Sequence, residues 1–287
     1  MPPLFRFSQI ELPWALGPPA GRYLLREPDH VPDGGPSHVL VVATLGAPER
    51  RTLLARRARK PQSQPQPDPT PVTTGRATVI AVGRPFVDEQ QAAAWLREAG
   101  EDELESDLAV LNRALHSFRL VVEDPYLAPV GRHQALVARV GYGAGEEVAD
   151  GLWTQAHELL PSARRQRRSK VLHPQARLAA LLGGRERPLA CEELALRARL
   201  DLDQGRDREA ALQVLVALDA AIAELAADTT AAALADRLDE LREQRGPVAR
   251  AAQSALEAPL GPDDSEAVAF ALGRIEAALR ARAVANA

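Results

Sequence analysis

Apolar positions recur along the chain in two rhythms, and the change between them is its first organising feature. The opening 45 residues carry the shorter one. The stretch RFSQIEL alternates apolar and polar, with Phe5, Phe7 and Ile10 expected near one face, as in a half-buried strand. Residues 21–27 and 37–45 continue the β pattern on either side of EPDHVPDGGPS, a dense cluster of turn residues. Within the second, VLVV is a continuous apolar run rich in β-branched Val, which predicts a central strand. Residues 73–82 and 133–143 read as further strands. Between them lie two helices. The first spans 88–100, with acidic residues opening it, Trp95 and Leu96 on its buried side and Gly100 closing it. The second, from 101, carries Leu104, Leu108, Leu111, Leu115 and Phe118 as one sustained stripe.

From about residue 174 onward every apolar pattern is helical. A short helix ends at Gly183-Gly184, and a helix hairpin turns near Gly205. Gly246-Pro247 is expected to separate two further helices, and Asp263 or Asp264 to cap the last. The organisation that follows is α+β. Residues 1–160 form a mostly antiparallel sheet with one or two packed helices, and 174–287 form an all-α domain. Two segments interrupt it. Residues 61–73 begin with five prolines and no aliphatic side chain over 61–71, the composition of a flexible segment. Residues 161–173 hold a cation cluster and read as a basic linker.

The hairpin residues carry a resemblance. Gly205 at the turn, Glu209-Ala210 opening the second helix, Ala217 farther along it and Ala198 on the first helix resemble one tetratricopeptide unit over residues 190–223. Asp201 stands where that family usually has an aromatic, and the signature does not recur one period downstream. The resemblance implies two tightly packed helices and a protein-interaction role.

Composition narrows the chemistry. Aromatic content of 4% means cores of Leu, Val and Ala, and a net charge of −4 exerts no global pull on nucleic acid or anionic membrane. Lys60 and Lys170 are the only lysines, and neither follows a glycine as a P-loop requires. The single cysteine, Cys191, excludes an intramolecular disulfide and sits in a helical pattern as a small apolar residue. His157-Glu158 lacks the second histidine of a zinc helix, and Asp201-x-Asp203-x-Gly205 lacks the spacing and the distal Glu of a calcium loop. No catalytic, cofactor-binding or metal-ligating residue is therefore expected. The N-terminus has no basic region followed by an apolar one, so no signal peptide is expected and the cytoplasm is the default location.

One run invites a nucleotide. In RVGYGAGEEVADGLW, glycines 141, 143 and 145 follow an apolar stretch, but Glu146 occupies the third position of the dinucleotide fingerprint. The glycines are expected to serve sharp turns or close backbone packing. Asp150-Gly151 is a two-residue hairpin signal, with a helix from Glu146 as its competitor.

Three functions remain, the third being an enzyme with an acid/base site that no motif announces. The leading one is a non-enzymatic interaction or assembly protein whose helical domain docks a protein partner or a second copy. The alternative is an RNA- or DNA-associated protein using Arg56, Arg57, Arg59 and Lys60 together with Arg164, Arg165, Arg167, Arg168 and Lys170.

Overall fold

The first strand, β1 (Leu4–Leu12), shows why a sheet forms and where it sits. Phe7, Ser8, Gln9 and Ile10 are all buried, so the strand is covered on both faces. Phe5 and Phe7 point to one face, while Ile10 and Leu12 point to the other. The expectation that Phe5, Phe7 and Ile10 share a face is corrected: odd and even positions of a strand oppose each other. A strand needs alternation only when one face meets water.

The computed structural model describes residues 2–26, 35–46, 73–159, 174–228 and 230–285. They fall into two compact units, Met1–Arg164 and Arg165–Ala287. The first holds β2 (Gly21–Leu25), β3 (His38–Leu45), β4 (Thr74–Ala81), β5 (Val137–Ala144) and β6 (Gln155–Glu158) beside β1. They form one antiparallel sheet in the order β2-β3-β4-β1-β5-β6. Helices α1 (Glu89–Glu98) and α2 (Glu101–Val122) cover one face. Leu104, Leu108, Leu111 and Leu115 of α2 are buried among Ile10, Leu40, Val79 and Val140 of the sheet. On the other face Val148, in a 3₁₀ turn after β5, packs with Phe7, Val39 and Ile80. The α+β class read from the sequence is the observed one.

Carboxylates crowd residues 98–107, and the last of them does not face solvent. Asp107 is buried, accepts a hydrogen bond from Ser8 Oγ at 2.6 Å and lies 3.3 Å from Arg6 Nη1. It occupies the apolar side of α2, one residue before Leu108. Burial raises its pKa, with the Arg6 charge and the Ser8 bond opposing the shift. A carboxyl whose folded pKa exceeds its unfolded one penalises folding as pH rises between the two. Asp107→Asn removes that titration. We expect the variant to gain stability relative to the parent between pH 4 and pH 7, measured by urea denaturation; a parent that gains on the variant over that range would refute the assignment.

The second unit is helical: α3 (Pro174–Leu182), α4 (Ala190–Asp203), α5 (Asp207–Ala226), α6 (Ala235–Glu257) and α7 (Pro262–Ala285). Its core is centred on α5, which packs against α4, α6 and α7. Ala210, Ala211, Val214, Ala217, Leu218 and Ala221 of that helix are fully buried. So many small side chains let three helices approach one axis closely. Cys191 and Ala198 are buried on α4, and Gly205, at φ +67°, turns the chain into α5.

Two expectations fail here. Gly246-Pro247 does not divide two helices, because α6 runs through both. Leu238, Leu241, Val248, Ala251 and Ala255 keep one buried stripe across Pro247, and their burial outweighs the missing N–H and the ring's clash with the preceding turn. Nor do Asp263 or Asp264 cap α7. Pro262 takes the first helical position, where its absent N–H costs nothing, and the two acids fill the first turn.

Candidate functional site

The glycine run is settled by its neighbours. Gly141 lies inside β5, where an added Cβ would stand 2.5 Å from the Gln155 carbonyl oxygen and 2.8 Å from Phe7 Cζ. At Gly143 it would stand 2.6 Å from Val148 Cγ1. Protein fills the space these glycines leave, so the run serves close packing. Phe7 and Trp153 stack at 5.7 Å beside it, and the Arg139 guanidinium lies 5.2 Å from the Trp153 ring. Asp150-Gly151 is not a two-residue hairpin. The strand after the glycines pairs at 155–158, and residues 145–150 form the 3₁₀ turn that carries Val148 onto the sheet. Val148 is fully buried, and that gain favours the longer excursion.

The nine cations proposed for nucleic-acid contact, Arg56, Arg57, Arg59, Lys60, Arg164, Arg165, Arg167, Arg168 and Lys170, lie outside the described residues, as do 47–72 and 160–173 as a whole. Among the described residues no group of His, Cys, Asp and Glu could hold a metal ion. No helix among them is long and apolar enough to cross a membrane.

Cys191 offers no nucleophile. Burial, then the neighbouring Glu224 carboxylate, pushes its thiol up to about 12. Glu224 has a positioning task instead. It accepts from the backbone N–H groups of Ala190 at 2.9 Å and Cys191 at 3.0 Å, so a carboxylate of α5 satisfies the first turn of α4. Burial disfavours its charged form, but those donors hold its pKa below the ordinary glutamate value. Glu192 closes the same end by accepting from Leu189 N–H at 3.1 Å. Both acids anchor α4 at the point where α3 and α7 meet it.

There the helical unit opens a cleft of about 730 Å³ between α3, α4 and α7. Its walls are Leu178 and Leu181 from α3, Ala195 and Leu196 from α4, and Leu279 and Ala283 from α7. Leu178 is 55% exposed and Leu196 68%, unusual values for side chains lining an apolar hollow. Leu182 and Leu200 continue the two stripes one turn farther on, and both are exposed. Charges ring the cleft, already paired. Arg177 bonds Glu192 at 2.6 Å and Glu186 at 3.1 Å, Arg199 bonds Glu276 at 2.8 Å, and Arg197 bonds Glu193 at 2.9 Å. Paired charges thus surround the exposed leucines.

The sequence legibly places Leu178, Leu196 and Leu279 on helices, but nothing in a single helix's periodicity marks them as left uncovered. A wider-than-needed apolar arc on α4, with Leu194, Leu196 and Leu200 added to its buried alanines, was the one available signal.

No family model matches this chain, and no curated protein or solved structure matches it either.

Proposed function

We propose that the protein is a non-enzymatic interaction module whose helical unit receives the apolar face of a partner's helix in the cleft between α3, α4 and α7. The observation that carries this reading is the pair of leucine stripes, Leu178 with Leu182 and Leu196 with Leu200, left exposed beside a cleft of about 730 Å³. Each stripe has the four-residue spacing of a helix ridge, into which a second helix's side chains interdigitate. A partner helix with apolar residues at i, i+3 or i+4 and i+7 would bury both. The likeness of α4 and α5 to one tetratricopeptide hairpin supports the same role.

The test places a photo-crosslinking amino acid at position 196 of the full-length chain, inside its native cells. A discrete crosslinked protein is expected at that position, and none from a probe at the exposed Arg242 on α6. Adding Leu178→Glu should weaken capture at least tenfold while leaving folding stability within about 0.5 kcal/mol, since the side chain is exposed. Equal crosslinking from 196 and 242, or capture indifferent to Leu178→Glu, contradicts the proposal.

A further inference from the structure

Helix α3 carries leucines that its own unit does not use. The core of the helical unit draws on α4, α5, α6 and α7, and among the described residues no side chain of α3 belongs to it. Leu178 and Leu182 are exposed, and Leu181 is half-buried on the wall of the cleft. At nine residues the helix is too short to be stable by its own hydrogen bonds. Charge ties it to its neighbours. Arg177 reaches Glu192 of α4 at 2.6 Å, and Glu186, whose N–H caps α3 at the Ala180 carbonyl, lies 3.8 Å from Arg282 of α7. Partly exposed ion pairs of this kind stabilise a structure only slightly. A short helix with three leucines outside its own core gains most from burial by a second molecule.

The spacing of those leucines names the molecule. Positions 178, 181 and 182 are i, i+3 and i+4, the apolar pattern that a helix-receiving cleft demands of its occupant. The cleft they border offers Leu196 from α4 and Leu279 from α7, with Leu200 one turn beyond. One surface therefore carries both an apolar hollow and a helix with the ridge that fits such a hollow. A surface that is its own complement is what a two-fold interface between identical chains requires. The rim permits the pairing as well. Arg177, Arg197, Arg199 and Arg280 balance the four glutamates they pair with, so two identical rims meet without net repulsion.

We infer that the occupant of the cleft is α3 of a second copy of this chain, each copy placing its own α3 in the cleft of the other. The inference rests on the reading of the cleft as a helix receptor and names what it receives. Every exposed leucine is then used twice, once as ridge and once as wall. Burial of Leu178 and Leu182 by the second copy supplies the apolar packing that α3 lacks within its own unit.

Sedimentation equilibrium of the full-length protein across the micromolar range is expected to give twice the mass of one chain. Leu178→Glu and Leu182→Glu should each leave only monomer over that range. Leu256→Glu, at a comparably exposed leucine on α6, should leave the dimer intact. A second measurement keeps α3 native. The photo-crosslinking amino acid is placed at position 196 of an isotope-labelled chain, which is mixed with unlabelled chain, and crosslinks are expected from the labelled position to unlabelled α3. A monomer throughout, a dimer indifferent to both glutamates, or crosslinks to α3 confined to one chain overturns the inference. A monomer that captures a different protein from position 196 overturns it alone and keeps the helix-receptor reading, whereas a monomer that captures nothing overturns both.

Discussion

Gly141→Ala is expected to destabilise the first unit by about 3 kcal/mol, at the upper end of the usual cost of overpacking a filled core. The new methyl would meet the Gln155 carbonyl oxygen at 2.5 Å, Ala156 Cβ at 2.6 Å and Phe7 Cζ at 2.8 Å. A flexible side chain tip can move aside, but a carbonyl oxygen moves only with its strand. Relief therefore means shifting β6 or displacing Phe7 from its stack with Trp153. Gly145→Ala supplies the control, because that glycine lies in open space and differs only in its φ of +59°. Its cost should stay at about 1 kcal/mol, the ordinary penalty for an L-residue in the left-handed region. Chemical denaturation of both variants separates packing from backbone strain. A larger loss at Gly145 than at Gly141 would show that the run is a strained turn and not a packed strand.

Arg282→Ala should cost the helical unit about 3–5 kcal/mol, the range for breaking a buried ion pair by deleting one partner. Arg282 Nε bonds Asp228 at 2.7 Å, and both side chains are 11% exposed. Nη1 of the same guanidinium lies 3.8 Å from Glu186 and 3.9 Å from Glu192, so one cation serves three acids near the start of α4. The backbone N–H of Thr230, then Arg282, holds the Asp228 carboxyl well below the usual carboxylate range. A depressed folded pKa adds stability above the unfolded value and loses it as pH falls through the window beneath. The gap between parent and variant should accordingly be widest at neutral pH and narrow below about pH 4, where Asp228 protonates in the unfolded chain. Thermal denaturation at pH 7 and pH 3 measures both values. A gap that widens on acidification would contradict the assigned pairing. Asp228→Asn combined with Arg282→Ala should lose less than the two single changes summed, since no charge is then left buried alone.

Much of the molecule was legible because local spacing carried it. The stripe from Leu104 to Leu115 specifies the buried side of α2 without reference to any other segment, and all four leucines are buried as expected. The turn at Gly205, the valine-rich run of β3 and the small-residue face of α5 are equally local, set by backbone conformation and side-chain shape. Asp107 was not legible. Its one-residue offset from Leu108 puts it inside, but only Ser8 and Arg6, about a hundred positions earlier, make the burial tolerable. Pro247 was misleading for the same reason: a breaker's local cost is visible in the sequence, whereas the stripe that overrides it depends on α5 and α7.

By itself, then, the sequence determined the two structural classes and the helix faces, because periodicity and turn chemistry act within a few positions. Only the tertiary structure decided that β1 is covered on both faces and that Leu178 and Leu196 remain exposed. Edges and clefts are defined by which neighbour is missing, and no local pattern records which surfaces the fold leaves unpaired.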